Sequence, residues 1–398
     1  MKNKYMPTAL AMYINYFVHG MGAIILSQNM DAIMTQLNTD RAGVSYIISG
    51  LGIGRLLVLF ISGALSDKFG RKPFILLGML SYVIFLGGIL VAPNVQVAVI
   101  FAIIAGMANS FLDSGTYPAL MEAFPEATGS ANVMIKAFIS AGQFLLPFII
   151  SLLIASDLWY GYSFLFCIAI FVVNGIFMLK APFPAHKVEK TEVKEEAAVE
   201  ETQKSSFWIE GIALILIGFT ATATFYIFQN YLPTYAQEVA GMAKPAALKL
   251  ISIYSAGSIT SVLVTSVLVK KWIKQVRFVF IYPLISLIML VLLFIFPSPI
   301  LCMISAFVIG FTAAGGVLQL ALTTMSELFP ANKGTITGVV YTASSLASSI
   351  LPALIGIISN SNVSNIILLN IIVTGIGVVL ALVVNFRYNA IVRSSSRA

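Results

Sequence analysis

Three ionisable side chains lie alone inside long apolar stretches of this sequence. They are His19, Arg55 and Asp113, and each lies 12 residues from the charged or proline-marked end of its stretch. A helix rises about 1.5 Å per residue, so all three would lie about 18 Å deep. This is close to the middle of a hydrocarbon core about 30 Å thick. Ionisable groups at that depth are costly and usually mark the path of a proton or a substrate.

The chemistry of the three groups favours proton coupling or binding of a charged solute. Asp113 can take up and release a proton, and His19 titrates near neutrality and could relay one. Arg55 cannot lose its proton, so it could hold Asp113 ionised or hold an anionic substrate. The alternative is a static Asp113–Arg55 pair that joins two helices, with His19 bonded to a neighbour.

A second group of ionisable residues lies nearer the ends of the apolar stretches. Glu122 and Lys136 could pair across the fourth and fifth stretches, as part of an inner gate or a proton exit. A simple helix-end ion pair explains them equally well. Glu327 occupies the position in the second half of the chain that corresponds to Glu122, and the same two interpretations apply to it.

Uncharged polar side chains within the stretches are candidates for binding a polar solute. Amides and phenols suit the hydroxyls or carbonyls of such a solute, and aromatic rings suit its apolar face. Each of them could instead make a hydrogen bond between helices. The candidates are Asn109, Gln143, Tyr226, Gln229, Asn230, Gln319 and Tyr341.

The elements that carry these residues must cross a membrane. The chain has 398 residues, of which 59% are hydrophobic and 10% charged, whereas soluble proteins carry about 25% charged residues. This composition excludes a soluble enzyme, a nucleic-acid-binding domain and a disordered protein. Twelve apolar segments are each long enough to span a bilayer as a helix. They cover roughly 7–30, 43–64, 73–92, 96–121, 131–154, 160–180, 207–233, 247–269, 277–296, 299–326, 335–358 and 364–386.

The positions of the basic residues predict the orientation of these spans. With both termini in the cytoplasm, 18 of the 23 lysines and arginines lie on that side and three lie outside. This bias is the one expected from the positive-inside rule. The net charge of +7 is therefore explained by topology, and we expect a multi-pass protein of the cell membrane with no nucleic-acid partner.

An internal repeat divides the chain into two halves. Glu-x-Phe-Pro-x-x-x-Gly occurs at 122–129 and again at 327–334, an offset of 205 residues. Parallel repeats of this kind are typical of transporters with a central site between two bundles. The sequence thus predicts an all-α protein with six-helix bundles at 1–180 and 207–398. Residues 181–206, rich in Glu and Lys, form the predicted cytoplasmic linker between them.

The loop after the second span resembles the signature loop of the major facilitator superfamily. It reads Gly63-Ala-Leu-Ser-Asp67-Lys-Phe-Gly70-Arg71-Lys72, and it matches every position of Gly-x-Leu-x-Asp-Arg/Lys-x-Gly-Arg-Arg/Lys. The twelve predicted spans extend the resemblance over the whole chain. The resemblance implies alternating access, in which two bundles open a midplane cavity to one side at a time.

The signature loop itself is a candidate gate. Gly63 would permit close helix contact, and Gly70 would permit a tight turn. Asp67, with Arg71 and Lys72 beside it, could pair across the cytoplasmic closure. The alternative is an anchor whose charges only set the topology.

The fourth span carries a second, shorter resemblance. Asn109-x-x-x-Asp113, Glu122-x-Phe-Pro125 and the following Asn132 are similar to the fucose and related sugar–proton symporters of the same superfamily. We therefore predict a proton-coupled importer of a small polar solute, such as a sugar or an organic acid. The alternatives are a drug–proton exporter and, more remotely, a membrane receptor that transports nothing.

Other function classes lack the residues they need. Two histidines and two cysteines, both cysteines inside apolar segments, cannot build a convincing catalytic or metal site. The sequence contains no Gly-x-x-x-x-Gly-Lys-Ser/Thr loop for ATP. We expect no enzyme activity, no metal and no cofactor, with the proton gradient as the energy source. We also expect a monomer whose partners are its substrate and the lipid bilayer.

Overall fold

The fold is helical throughout the part of the chain that the structure describes. A computed structural model describes residues 4–184, 211–271, 275–314, 317–328 and 333–395. These residues contain no β-strand, in keeping with the rule that lipid offers no partners to exposed backbone groups. The helices are α1 Met6–Gly22, α2 Ile25–Gln28, α3 Met30–Gln36, α4 Arg41–Phe69, α5 Arg71–Val91, α6 Val95–Ala123, α7 Thr128–Ala155, α8 Tyr162–Lys180, α9 Ile212–Glu238, α10 Lys244–Lys271, α11 Gln275–Ile295, α12 Pro299–Ile309, α13 Val317–Leu328, α14 Lys333–Ser359 and α15 Ser364–Ser395.

Ten helices among the described residues are long and apolar enough to cross a membrane. The first and tenth predicted spans are interrupted, so the expectation of one continuous helix is wrong for these two. In the first span, the bonding pattern tightens after α1, where the Ile24 N–H bonds to the carbonyl of Met21 at 3.1 Å. In the tenth span, a π-helical turn at Gly310–Ala314 follows α12. Such turns are frequent at functional sites.

The two halves of the chain, α1–α8 and α9–α15, share one unusual helix crossing. α4 and α6 cross at Gly54 and Gly106. A Cβ added to Gly54 would overlap the carbonyl oxygen of Ile103 in α6, and a Cβ added to Gly106 would overlap that of Leu51 in α4. Gly257 of α10 and Gly310 at the end of α12 repeat this reciprocal arrangement. Gly257 follows Gly54 and Gly310 follows Gly106 at separations within two residues of the 205-residue offset of the sequence motif. This agreement supports the internal repeat. The domain boundaries stay a prediction, and most of the linker, 185–206, lies outside the described residues.

Two helix pairs form the seams between the halves. α4 packs against α14, and α7 packs against α10. Within the first half, α6 packs against both α4 and α5, and within the second half α15 packs against α9 and α11. The residues that the sequence analysis placed at mid-depth therefore lie on helices beside these seams.

Hydrogen bonds and two ion pairs, one of them between Lys244 and Asp31 at 2.7 Å, join the halves at one end of the molecule, which we call the Arg41 end. Arg41 at the start of α4 forms an ion pair with Glu238 at the end of α9. Its Nη1 also donates to the carbonyl of Ser359, at 3.2 Å. Asn360 donates from Nδ2 to Oδ2 of Asp40, at 2.9 Å. The opposite end, which carries the signature loop, is called the Arg71 end.

Candidate functional site

An ion pair between α4 and α6 is the centre of the candidate site. Arg55 Nη2 lies 3.2 Å from Oδ2 of Asp113, and the Oη of Tyr16 in α1 donates to Oδ1 of Asp113 at 2.6 Å. The side chains of Arg55 and Asp113 are 25% and 23% exposed, so the pair is reachable from solvent. Three helices of the first half thus converge on one carboxylate.

His19 joins this group through tyrosine rings. Its Nδ1 shares a hydrogen bond with the Oη of Tyr82 in α5. Its ring meets Tyr16 edge to face at 5.8 Å and Tyr82 at 5.7 Å, measured between ring centroids. Tyr82 in turn stacks on Phe171 of α8 at 5.2 Å. His19 therefore reaches Asp113 through Tyr16, without a direct bond.

Sequence reasoning missed the three tyrosines that surround the acid. Tyr16 and Tyr82 are buried, and Tyr117 packs edge to face on Tyr16 at 6.0 Å. A signal was present for two of them. Tyr16 lies three residues before His19 and Tyr117 lies four after Asp113, and such spacings place side chains on one helix face.

The second half contributes aromatic faces to the two cations of the site. The guanidinium carbon of Arg55 lies 5.8 Å from the ring centroid of Tyr341 in α14. The Nζ of Lys136 in α7 lies 5.9 Å from that of Phe225 in α9. Cation–π contacts of this kind contribute about 0.5–2 kcal/mol. They bridge the halves, and no described acid of the second half forms an ion pair with either cation.

The predicted polar binding residues fall into different settings. Gln143 of α7 and Gln229 of α9 are buried, and their amides bond to each other across the halves at 3.2 Å. Asn230 donates to the carbonyl of Tyr226 in its own helix, at 3.0 Å. Asn109 lies one turn from Asp113 and is partly exposed. The side chain of Gln319 lies outside the described part of the structure.

The predicted pair between Glu122 and Lys136 is wrong in this conformation. Glu122 bonds instead to Arg71, whose Nε lies 3.1 Å from Oε1. The turn before α5 brings Arg71 beside the end of α6, whereas Lys136 extends toward Phe225 of the second half. The side chain of Glu327, the repeat equivalent, lies outside the described residues.

The signature loop holds the Arg71 end of the first half together. Gly70 has φ +93°, a conformation that L side chains rarely adopt, and it links α4 directly to α5. Arg71 pairs with Asp67 as well as Glu122, and Lys72 Nζ donates to the carbonyl of Leu179 at 2.8 Å. These partners all belong to the first half, and the gating role of the loop stays a prediction.

One glycine of the signature loop does not behave as expected. A Cβ added to Gly63 would meet nothing within 4 Å, so the prediction of a close helix contact there is wrong in this conformation. The neighbouring side chains of Ile61 and Leu65 are also exposed, so no other described helix covers this side of α4. Gly54, nine residues earlier, makes the close contact instead.

The site offers protons, charges and aromatic faces rather than metal ligands. Among the described residues, no group of three His, Cys, Asp or Glu side chains is placed to hold a metal ion. Cys167 and Cys302 are buried thiols in α8 and α12. The arrangement can bind a polar or charged solute and exchange a proton at Asp113.

Comparison with known proteins identifies the family. The sequence profile of the Major Facilitator Superfamily matches residues 12–352. The chain belongs to this superfamily. It is 45% identical to the inner membrane transport protein YdiM of Escherichia coli, over 97% of this chain and 96% of that protein. It is 43% identical to the uncharacterized MFS-type transporter YfkL of Bacillus subtilis, over 98% of both chains.

Solved structures agree with this assignment at the level of the fold. The crystal structure of a D-xylose–proton symporter superimposes with a TM-score of 0.78 at 15% identity, and the match covers 95% of this chain and 97% of that one. The superfamily's twelve-helix fold, with two interrupted spans, is therefore the fold of this chain. The protein is a multi-pass membrane transporter of the major facilitator superfamily, and the expectation that it is not an enzyme is confirmed.

Proposed function

We propose that the protein is a proton-coupled secondary transporter that works by alternating access and imports a small polar organic solute. The observation that carries this proposal is the contact of Arg55 and Tyr16 with opposite oxygens of Asp113 at mid-depth. One carboxylate thereby holds a cation and a hydroxyl from two other helices. A change in its charge must alter both contacts.

The coupling step follows from the chemistry of that carboxylate. When Asp113 is ionised, it attracts the guanidinium of Arg55 in a site of low dielectric constant. Protonation removes the charge of Asp113, which weakens the pair and leaves Arg55 available to a polar group of the cargo. His19 and Tyr82, linked by a hydrogen bond, lie behind Tyr16 and form the proposed route for the proton.

The described conformation supports a cavity that opens to the cytoplasm. We propose that both termini face the cytoplasm, as the basic residues predict, so that the Arg41 end faces outward. Arg41 and Asp40 bond to the second half and close that end. At the Arg71 end, the ion pairs among the described residues stay within the first half.

Import is the direction that we favour over drug export. Exporters of this superfamily typically carry Gly-Pro and Gly-Gly pairs in the fifth span, and here that region reads Ser140-Ala-Gly-Gln-Phe-Leu-Leu-Pro147, with neither pair. The proton gradient then supplies the energy, and a single chain provides both halves of the site.

The test uses purified protein in liposomes that contain a pH-sensitive dye. Sugars, organic acids, amino acids and hydrophobic cations are added outside, and a transported solute should acidify the lumen as protons accompany it. Asp113→Asn should abolish accumulation against a gradient while exchange of labelled solute across the membrane persists. Glu126→Gln, at an exposed acid in the turn after α6, is the matched control and should behave like the unmodified protein.

Two results would overturn the proposal. One is accumulation by Asp113→Asn that equals that of the unmodified protein. The other is the absence of any solute whose uptake depends on the proton gradient.

A further inference from the structure

Among the described residues, the charges at the centre of the molecule do not cancel. Arg55 and Asp113 neutralise each other through their ion pair. Lys136 has no such partner, because no carboxylate of a described residue lies within ion-pair distance of its Nζ. The described ionisable groups near mid-depth thus carry one excess positive charge when His19 is neutral.

Lys136 belongs to the same site as the central pair. Its ammonium lies against Phe225, a residue in the middle of α9, and so reaches mid-depth between the two halves. α1 crosses α7 closely beside His19, because a Cβ added to Gly20 would overlap the carbonyl oxygen of Ile139, one turn from Lys136. The three cationic or titratable groups therefore share one electrostatic environment, with Asp113 as its described acid.

A lone ammonium in such a place favours an anionic ligand. Burial of a charge without a partner is costly, and the cost falls when an opposite charge and hydrogen bonds are supplied. The ring of Phe225 compensates only in part, because a cation–π contact is worth less than an ion pair in a site of low dielectric constant. A carboxylate of the cargo would complete the compensation.

We propose that the transported solute is an organic monocarboxylate, and that Lys136 binds its carboxylate group. This inference rests on the proposed function and names the substrate class of the same site. The single excess charge matches one carboxylate. A phosphate ester, which carries about −1.5 to −2 at neutral pH, would leave the site with an unpaired negative charge.

Other groups of the site fit the body of such a solute. The Nε of Arg55 is buried and has no hydrogen-bond partner in the described structure. Asn109 lies one turn from Asp113, and the ring of Tyr341 faces the same guanidinium. Hydroxyl groups on the cargo could accept from Arg55 and bond to the Asn109 amide, while its carbon skeleton lies on the aromatic rings.

The charge balance makes a prediction that separates this inference from the proposed function. One proton taken up by Asp113 and one monocarboxylate bound at Lys136 add up to zero net charge per cycle. Uptake should therefore follow a pH gradient and ignore the membrane potential. A proton carried together with a neutral sugar would move one positive charge per cycle and would respond to the potential.

The binding experiment uses solutes in matched pairs that differ in the carboxylate. D-glucuronate is compared with D-glucose, D-gluconate with D-sorbitol, and 4-hydroxybenzoate with 4-hydroxybenzamide, by the rise in melting temperature of the purified protein. A carboxylate should stabilise the protein and its neutral counterpart should not. Lys136→Gln should weaken that binding about 10–100-fold, and Lys136→Arg should largely retain it.

Lys249→Gln is the matched control variant. Lys249 also lies over a phenylalanine, Phe148, at 5.7 Å, but it is exposed near the Arg41 end of α10. It should bind the carboxylate like the unmodified protein. The melting temperature without solute reports whether each variant is folded.

The transport experiment needs no variant. Proteoliposomes receive either a pH gradient or a potassium diffusion potential with valinomycin, and the uptake of the solute that stabilises the protein is measured. Uptake driven by the pH gradient alone supports the inference. Inward current with a neutral solute overturns it while leaving the proposed function intact.

Two further results would also overturn the inference. The first is that Lys136→Gln binds the carboxylate as tightly as the unmodified protein does. The second is that no carboxylate of the panel raises the melting temperature.

Discussion

Replacement of Arg41 by alanine should open the Arg41 end of the transporter. Arg41 bonds to Glu238 and to the carbonyl of Ser359, and both partners belong to the second half. Removal of the side chain deletes two contacts that exist only when this end is closed. The variant should therefore shift the population toward conformations that are open at the Arg41 end.

The size of the shift follows from the exposure of the groups. Arg41 is 16% exposed and Glu238 is 46% exposed, so the ion pair is largely screened and contributes at most about 1 kcal/mol. The hydrogen bond from the guanidinium to Ser359 adds about 1.5 kcal/mol, the low end for a charged donor. A loss of about 2 kcal/mol changes the ratio of closed to open forms by about 30-fold.

Distances between spin labels can measure this ratio directly. Thr35 in α3 and Ser361 after α14 are exposed at the Arg41 end, on opposite halves, and each can be replaced by cysteine. The native cysteines, Cys167 and Cys302, are buried and should react little with the label. In Arg41→Ala, a longer distance should gain population at the expense of the shorter one.

The matched control is Arg71→Ala. Arg71 is also 16% exposed and pairs with two acids, Asp67 and Glu122, but both belong to its own half. Its loss should leave the label distance at the Arg41 end unchanged. An unaltered distance distribution in Arg41→Ala, or the same change in both variants, would refute the assignment of a closing role to Arg41.

Two further predictions concern helix packing and acid sensitivity. Gly54→Ala should lower the melting temperature strongly, because overpacking against the α6 backbone costs about 1–3 kcal/mol or more, whereas Gly63→Ala should be neutral or stabilising. Equal melting temperatures would contradict the close crossing. The N–H of Gly43 and the amide of Asn360 hold the pKa of Asp40 below its usual value. The stabilisation by ionised Asp40 is then present above about pH 4 and is lost as the pH falls through the lowered pKa. Titration of Asp40 should therefore not change the population closed at the Arg41 end between about pH 5 and 8. At lower pH that population should fall, and the fall should be smaller in Asp40→Asn, as measured by the label distances.

Residue counting along the chain predicted that Arg55 and Asp113 share a level, since the rise of a helix is nearly constant. His19, Arg55 and Asp113 were placed at one level from their spacing alone, and the structure brings Arg55 and Asp113 within 3.2 Å. The same counting failed to see that the first and tenth spans are interrupted. α1 ends at Gly22, and the π-helical turn begins at Gly310. The sequence contains many other glycines that lie in close helix crossings, so a glycine alone does not show where a helix ends.

Partner choice could not be predicted in the same way. Depth says nothing about which direction a side chain points around its helix, and it says nothing about competition between partners. Glu122 and Lys136 lie on consecutive helices, yet Arg71 takes the carboxylate because the sharp turn at Gly70 brings α5 beside the end of α6. The reciprocal glycine crossing could not be predicted either, because it depends on which helices pack together. Once the crossing is known, the offset between the two glycine pairs can be recognised in the sequence.

The distribution of charge between the halves has a consequence for the transport cycle. Arg55 and Tyr16 both bond to Asp113 inside the first half, so the three would move as one unit in the proposed rocking of the halves. Among the described residues, the second half meets the two cations of the site through the rings of Tyr341 and Phe225. Breaking such contacts costs about 0.5–2 kcal/mol each, whereas separating Arg55 from Asp113 would leave two charges without a partner. The halves can therefore separate around the site without stranding a charge, provided that a ligand or water takes the place of the rings.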